Sequence, residues 1–266
     1  MSANIKALIR DMNSLPTMPN IVVEALNLIK DPNVNINVLA TTITKDLSIT
    51  GQILKLVNSA FYGFPKQITT INKALALLGL NQVNSLIMSV AVKPMLVTNS
   101  GKLLWKHSLR CAIASQMIAK NLGIREIEEY FIMGLLHDIG KTLFHLCNPA
   151  AADELDRLVA IGADRMKAEQ MLFGFTHQEL GAELLNKWNL PNILLNGVLY
   201  HHDPRKSEIS NTAGVIYLAD RLTQENLKFP IFDHDILQCL DFEVTDAMSI
   251  REEAIAKSDI LLQVLQ

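Results

Sequence analysis

The sequence predicts an all-α protein. Apolar residues recur at helical spacing through most of the 266 residues, and strand-like alternation bounded by hairpin turns is nearly absent. No Asn-Gly or Asp-Gly dipeptide sits between alternating runs, so the strongest short-range hairpin signal is missing. With 49% hydrophobic and 19% charged residues, the chain can bury a large core and does not read as disordered.

Pro16 and Pro19 set a rigid, extended entry to a first helix over 21–30. Asp31-Pro32 ends that helix, because a residue preceding proline avoids the α region. Helices then fit 36–45, 48–60, 70–79 and 81–92, with Ser48 as N-cap of the second and Gly63 with Pro65 breaking the chain after it. The apolar run 85–92 stops at Lys93-Pro94, and Asn99-Ser100-Gly101 is the best internal boundary. Beyond it helices are expected at 102–121, 125–146, 150–161, 164–172, 176–188, 192–202, 208–225 and 246–264. Gly123 stops the first of these, Thr176 caps the fifth, and Pro191 opens the sixth.

A formal charge of −3 and a pI of 6.2, with no block of like charge, argue against nucleic acid or an anionic membrane as the main partner. No signal-peptide pattern opens the chain, and no uncharged apolar run has the length of a membrane span. Cys111, Cys147 and Cys239 are far apart with no CxxC pair, and read as reduced core thiols. A soluble, cytoplasmic protein is expected.

The second half carries seven side chains in an order suited to a divalent metal: His107, the pair His137-Asp138, His177, the pair His201-His202, and Asp220. They can meet only if several helices converge. Imidazole and carboxylate are the ligands expected for Zn, Fe, Mn or Ni rather than for an all-oxygen Ca site. His137-Asp138 falls within an apolar segment read as helix. Neighbours there point about 100° apart, so the imidazole can hold one ion while the carboxylate bridges to a second ion or to water. Lys141, one turn on, is placed on the His137 face, where an ammonium can grip a phosphate oxygen. Asp220 ends the apolar run 215–219, where a charge is costly unless paired or bound to metal. Arg221 can pair with it or with substrate.

Each residue also has a plainer reading. A histidine on an apolar helix face is most often a hydrogen-bonded core residue, and His145 and His234 are assigned there. Thr176-His177 can be helix-start chemistry, and His201-His202-Asp203 a solvated helix end. Gly140-Lys141-Thr142 resembles the close of a phosphate-cradling loop, but the earlier glycine would fall at Leu135. His107 and Cys111 have the spacing of a catalytic pair but no orienting group, so Cys111 is read as core.

At these residues the chain resembles the HD superfamily of metal-dependent phosphohydrolases, which are all-helical. More closely it resembles the HDOD family, the HD-related output domain of bacterial signalling proteins. That likeness rests on Leu15-Pro-Thr-Met-Pro19, Ile43-Thr-Lys-Asp-Leu-Ser-Ile-Thr-Gly51, Lys55-Leu-Val-Asn-Ser-Ala-Phe-Tyr-Gly63 and Ile68-Thr-Thr-Ile-Asn-Lys-Ala-Leu75. It continues through Trp105-Lys-His-Ser108 and Gly181-Ala-Glu-Leu-Leu-Asn-Lys-Trp188. The resemblance implies an HDOD domain over 14–210, with a family-specific N-terminal helical lobe at 14–95. An HD-like lobe carrying the metal site follows at 101–225, and a C-terminal helical extension at 226–266.

Many members of that family have lost the HD ligands, and this chain keeps them. Their order also resembles the HD-GYP phosphodiesterases, but His201-His202-Asp203 runs into Pro204-Arg205-Lys206 with no Gly-Tyr-Pro signature. The glutamate that some of those enzymes place before the first histidine is Leu103, which points away from cyclic-di-GMP hydrolysis and from three metals.

Two functions follow as expectations. One is a regulatory module that binds a signalling partner through its N-terminal lobe. The other is an active phosphohydrolase on a phosphorylated small molecule or nucleotide. In the second, His107, His137, Asp138 and Asp220 hold one ion, His177, His201 and His202 complete a site for another, and Lys141 stabilises phosphoryl charge.

Overall fold

The computed structural model describes residues 16–31, 33–97, 102–224 and 231–265, and every regular element among them is a helix. The expected boundary at Asn99-Ser100-Gly101 and the stop at Pro32 lie outside the described residues.

The N-terminal lobe comprises α1 (Asn20–Ile29), α2 (Ile36–Thr44), α3 (Leu47–Val57) and α4 (Ile71–Leu96). Asp46, rather than Ser48, caps α3 by accepting from the Ile49 amide at 3.0 Å. The two helices expected at 70–79 and 81–92 adjoin within α4 and are separated at Gly79, which takes φ +80° and ψ 169°. Pro94 does not stop it, since the helix ends only at Leu96. By length and composition α4 could cross a membrane, against the expectation that no run is long and apolar enough; 56% of its apolar window is buried inside the protein. Val83, Leu86, Ile87 and Val92 supply core from it.

The second lobe is organised around α5 (Lys102–Asn121). Packed on α5 are α6 (Ile127–Leu136), α12 (Ser210–Thr223) and α14 (Val244–Val264). Between them run α7 (Phe144–Cys147), α8 (Pro149–Ala160), α9 (Arg165–Phe173), α10 (His177–Lys187), α11 (Asn192–Tyr200) and α13 (His234–Leu240). The α13 helix was not foreseen. The C-terminal segment closes onto the same core, where buried Arg110 reaches Ser258 Oγ at 3.3 Å and Asp259 Oδ1 at 3.0 Å. Trp188 Nε1 donates to the Pro16 carbonyl at 3.2 Å, tying the chain's entry to α10.

The continuous helix expected over 125–146 is not formed. α6 stops at Leu136, Asp138 leaves the α region (φ −104°, ψ 7°), and 139–143 tightens into a 3₁₀ turn before α7. The cause is a backbone contact. A Cβ on Gly140 would overlap the His177 carbonyl oxygen and lie 2.7 Å from the Gly181 nitrogen. Gly134 meets α5 as closely, with Cys111 O 2.7 Å from where its Cβ would be. These two approaches pull the segment carrying His137-Asp138 against both α5 and α10.

Of the three free cysteines only Cys111 is core; Cys147 is half-buried and Cys239 exposed, against the expectation of three core thiols.

Gly140→Ala should therefore be severely destabilising, by about 3 kcal/mol or more, because backbone rather than a flexible side chain blocks the methyl. Gly51→Ala, inside α3 with no atom within 4 Å of the added carbon, should stabilise by about 0.5–1 kcal/mol. Urea unfolding of the pair checks this, and equal effects would refute the packing argument.

Candidate metal centre

The seven expected side chains converge. His107 comes from α5, His137-Asp138 from the break after α6, His177 from the first residue of α10, and Asp220 from α12. His201 and His202 follow α11, whose end at Tyr200 leaves them outside the helix expected to contain them. His137, His177 and His201 are fully buried, and Asp138 and Asp220 nearly so. The solvated-end reading of His201-His202 does not hold.

They form two groups that share Asp138. In the first, His107 Nε2 lies 3.2 Å from His137 Nε2 and 3.1 Å from Asp220 Oδ1. Asp138 Oδ2 is 3.3 Å from His137 Nε2 and 3.7 Å from His107 Nε2. In the second, Asp138 Oδ1 is 3.4 Å from His177 Nε2 and 3.7 Å from His201 Nε2, and His202 Nε2 is 3.1 Å from His177 Nε2. Metal–ligand bonds of about 2.0–2.2 Å place neighbouring ligand atoms roughly 3.0–3.6 Å apart, so both groups are spaced for one ion each.

The hydrogen bonds fix which ring nitrogens face inward. His137 Nδ1 donates to the Gly134 carbonyl and His201 Nδ1 to the Val198 carbonyl, both at 2.7 Å. A carbonyl only accepts, so in the neutral rings each Nε2 presents a lone pair to the centre. There they meet carboxylate oxygens, acceptor against acceptor. Asp138 Oδ1, Asp220 Oδ2 and His201 Nε2 are buried with no hydrogen-bond partner. Such a constellation is stable only around positive charge, and the donor set suits a divalent transition metal.

In the ion-free protein, protons and Lys141 take that role. His137 is opposed by its burial, yet the adjacent Asp138 holds it well above the ordinary imidazole value. Burial likewise works against the Asp138 charge, but His137 and then Lys141 hold it well below the carboxylate range. Burial pushes His177, His201 and His202 the other way, below the ordinary imidazole value, so they stay neutral.

Lys141 departs from its expected position. Within the 3₁₀ turn it sits three residues from Asp138 and donates to Asp138 Oδ2 at 2.5 Å, instead of lying on the His137 face of an α-helix. Arg221 does not pair with Asp220; its guanidinium lies 5.5 Å over the Tyr217 ring, one turn back on α12. His145 and His234 were expected in the core and are on the surface, His145 beside Asp156 Oδ2 at 3.2 Å.

One functional residue went unforeseen. Glu169 of α9 is fully buried and accepts from both the backbone amide (2.8 Å) and Nδ1 (2.7 Å) of His177. Thr176 caps α10 in a capping box with Glu179, so His177 opens the helix with an amide that has no partner within it. Glu169 takes that amide and orients the ring together. Its carboxyl is pushed up to about 7 by burial, against the His177 amide and Arg165. Eight residues and a loop separate the pair, and no sequence spacing links them.

The fold is all-helical among the described residues, and its buried His/Asp groups could hold a divalent metal. The profile of the HDOD domain matches residues 15–204, and the chain belongs to that family. A protein of Treponema pallidum (strain Nichols) is 29% identical over 72% of this chain. Ribonuclease Y of Mycoplasma mycoides subsp. mycoides SC is 26% identical over 62% of it. The chain spans 38% and 28% of those two proteins, respectively. The crystal structure of a candidate phosphohydrolase from Shewanella amazonensis SB2B matches at 25% identity and a TM-score of 0.82, covering 98% of each chain.

Two outcomes are expected. Glu169→Ala should lower affinity for the ion at the His177 group by about 10–100-fold while the His107 group keeps its own, since loss of an orienting partner costs about that much. Titration with Zn or Mn followed by calorimetry resolves the two. The second concerns pH. Three histidines held below the ordinary value of 6.5 take up protons only on unfolding, and His137, held above it, opposes them. Glu169, pushed up to about 7, opposes them as well, but below pH about 6 the three histidines outweigh it, the unfolded chain binds more protons, and metal-free protein should lose stability as pH falls from 6 toward 5. A denaturation midpoint that rises over that range would contradict the assignment.

Proposed function

We propose that this chain is a regulatory protein of bacterial signal transduction whose second lobe binds two divalent transition-metal ions and hydrolyses a phosphate ester. One observation carries the reading: Asp138 directs its two oxygens into two separate imidazole groups. A carboxylate shared in this way is a bridging ligand, and two adjacent ions suit in-line displacement at phosphorus.

When bound, the ions would supply Lewis acidity toward a phosphoryl oxygen and lower the pKa of a water molecule. The chain's own residues do the rest. His107, His137, Asp138 and Asp220 would hold one ion; His177, His201 and His202, with Asp138, the other. Glu169, Gly134 O and Val198 O keep the rings oriented. His107, Lys141 and His202 are each partly exposed, with 20%, 23% and 22% of the side chain open, so substrate would approach across this side. Lys141 balances Asp138 in the ion-free state. With that carboxylate committed to metal, its ammonium would be free to stabilise phosphoryl charge. A phosphodiester is favoured, because the ribonuclease relative bears a name that denotes cleavage of one. A net charge of −3 leaves a small or nucleotide-like ester as the substrate and RNA as the alternative.

Protein purified without chelator should carry two ions per chain by elemental analysis. Asp138→Ala should lose both, Asp220→Ala the ion at His107, and His145→Ala neither. Hydrolysis of bis(p-nitrophenyl) phosphate should fall by about a thousandfold or more in Asp138→Ala, since metal stabilisation is worth several kcal/mol. Cleavage of an RNA oligonucleotide in preference to the small diester would reassign the substrate. Absence of metal from the wild type, with Asp138→Ala equally stable, would remove the enzyme reading and leave a protein-binding module.

A further inference from the structure

The two ligand groups do not stand equally open to a cation. In the His107 group the inward oxygens are already engaged. Asp138 Oδ2 accepts from the Lys141 ammonium at 2.5 Å, and Asp220 Oδ1 lies 3.1 Å from His107 Nε2. Among the described residues, the unpartnered buried atoms of the seven side chains fall on the other side. Asp138 Oδ1 lies 3.4 Å from His177 Nε2 and 3.7 Å from His201 Nε2. His201 Nε2 is itself without a partner, and Asp220 Oδ2 is turned toward His202 Nδ1, 3.8 Å away.

The asymmetry follows from the backbone. Because 139–143 is a 3₁₀ turn, Lys141 stands three residues from Asp138 and reaches its Oδ2 from within the same segment. On the opposite side Glu169 fixes the His177 ring and the Val198 carbonyl fixes His201, so both aim Nε2 toward Asp138 Oδ1. An ion entering the His177 group therefore meets three imidazoles and a carboxylate oxygen that no donor holds. An ion entering the His107 group must take Asp138 Oδ2 from a competing cation. Asp220 gives the His107 group one carboxylate more, which draws a dication, but the ammonium cancels that unit of charge at an oxygen the ion needs.

We propose, resting on the two-ion reading, that the centre loads its ions in a fixed order, the His177 group first and the His107 group second, and that Lys141 is the internal competitor that sets the order. Displacing a charge-assisted hydrogen bond of this kind lowers affinity by roughly 10–100-fold. The second ion is thus the weaker one, and its arrival is the event that releases the Lys141 ammonium. A centre holding one ion keeps Lys141 on Asp138; a centre holding two does not.

The test strips metal from the full chain with a chelator, removes the chelator and titrates Zn alone, with imidazole ¹⁵N shifts reporting which rings bind. The first equivalent should move His177, His201 and His202, and the second His107 and His137. Calorimetry should resolve two affinities at least tenfold apart. Lys141→Met should tighten the second by at least tenfold and change the first by less than threefold. Lys141→Arg, which keeps the cation, should leave the gap in place. A merely structural role for Lys141 would instead weaken both sites in Lys141→Met. Two ions that bind in the reverse order, or together, or with a gap that Lys141→Met does not narrow, would overturn the proposal while the two-ion reading stands. Fewer than two ions per chain would defeat that reading and the order with it.

Discussion

Asp138 keeps an ionised carboxylate where only about one per cent of the side chain meets water. Removing such a charge from solvent costs several kcal/mol even after the protein relaxes, and removing its partners would leave that cost uncompensated. The second lobe is arranged around this constraint. Lys141 reaches back along the 3₁₀ turn, His137 holds a proton against its own burial, and four further imidazoles and Asp220 close the shell. Metal binding would replace the proton and release the lysine. The arrangement that makes the ion-free centre electrostatically crowded is thus the one that would make it a strong site for dications.

Crowding of this kind requires backbones that hold the ligands apart from water and close to each other. Gly140 against His177 and Gly181, and Gly134 against α5, let three segments touch without intervening side chains. The same contact breaks the helix after Leu136 and aims Asp138 between the two imidazole groups. Close packing, orientation of Asp138 and assembly of the centre are therefore one structural event. Glu169 extends it outward, spending one buried carboxylate on both the free amide and the ring of His177.

Among the described residues the N-terminal lobe supplies no side chain to the centre, yet it docks on the starts of the two helices whose ends carry His137 and His201. A regulatory role for the lobe needs contact of this kind. Any ligand or partner that altered the seam between the lobes would act on elements continuous with the ligand set.

Much of this was legible in the residues alone. Helical periodicity, the stop at Gly123 and the cap at Thr176 point to an all-helical chain, because local propensity and capping act within a turn or two of sequence. The seven side chains of the centre could be named because so many imidazoles and carboxylates placed in apolar segments are costly unless they meet one another or a cation. What the sequence could not carry was anything set by contact between distant segments. The break at Asp138, the pairing of Lys141 with it, the stacking of Arg221 on Tyr217 and the surface positions of His145 and His234 all differ from the periodic reading. Glu169 lay outside it altogether. Periodicity records which residues are apolar and how they repeat. Which backbones approach within van der Waals distance, and hence where a buried charge finds its partner, is decided only when the helices pack.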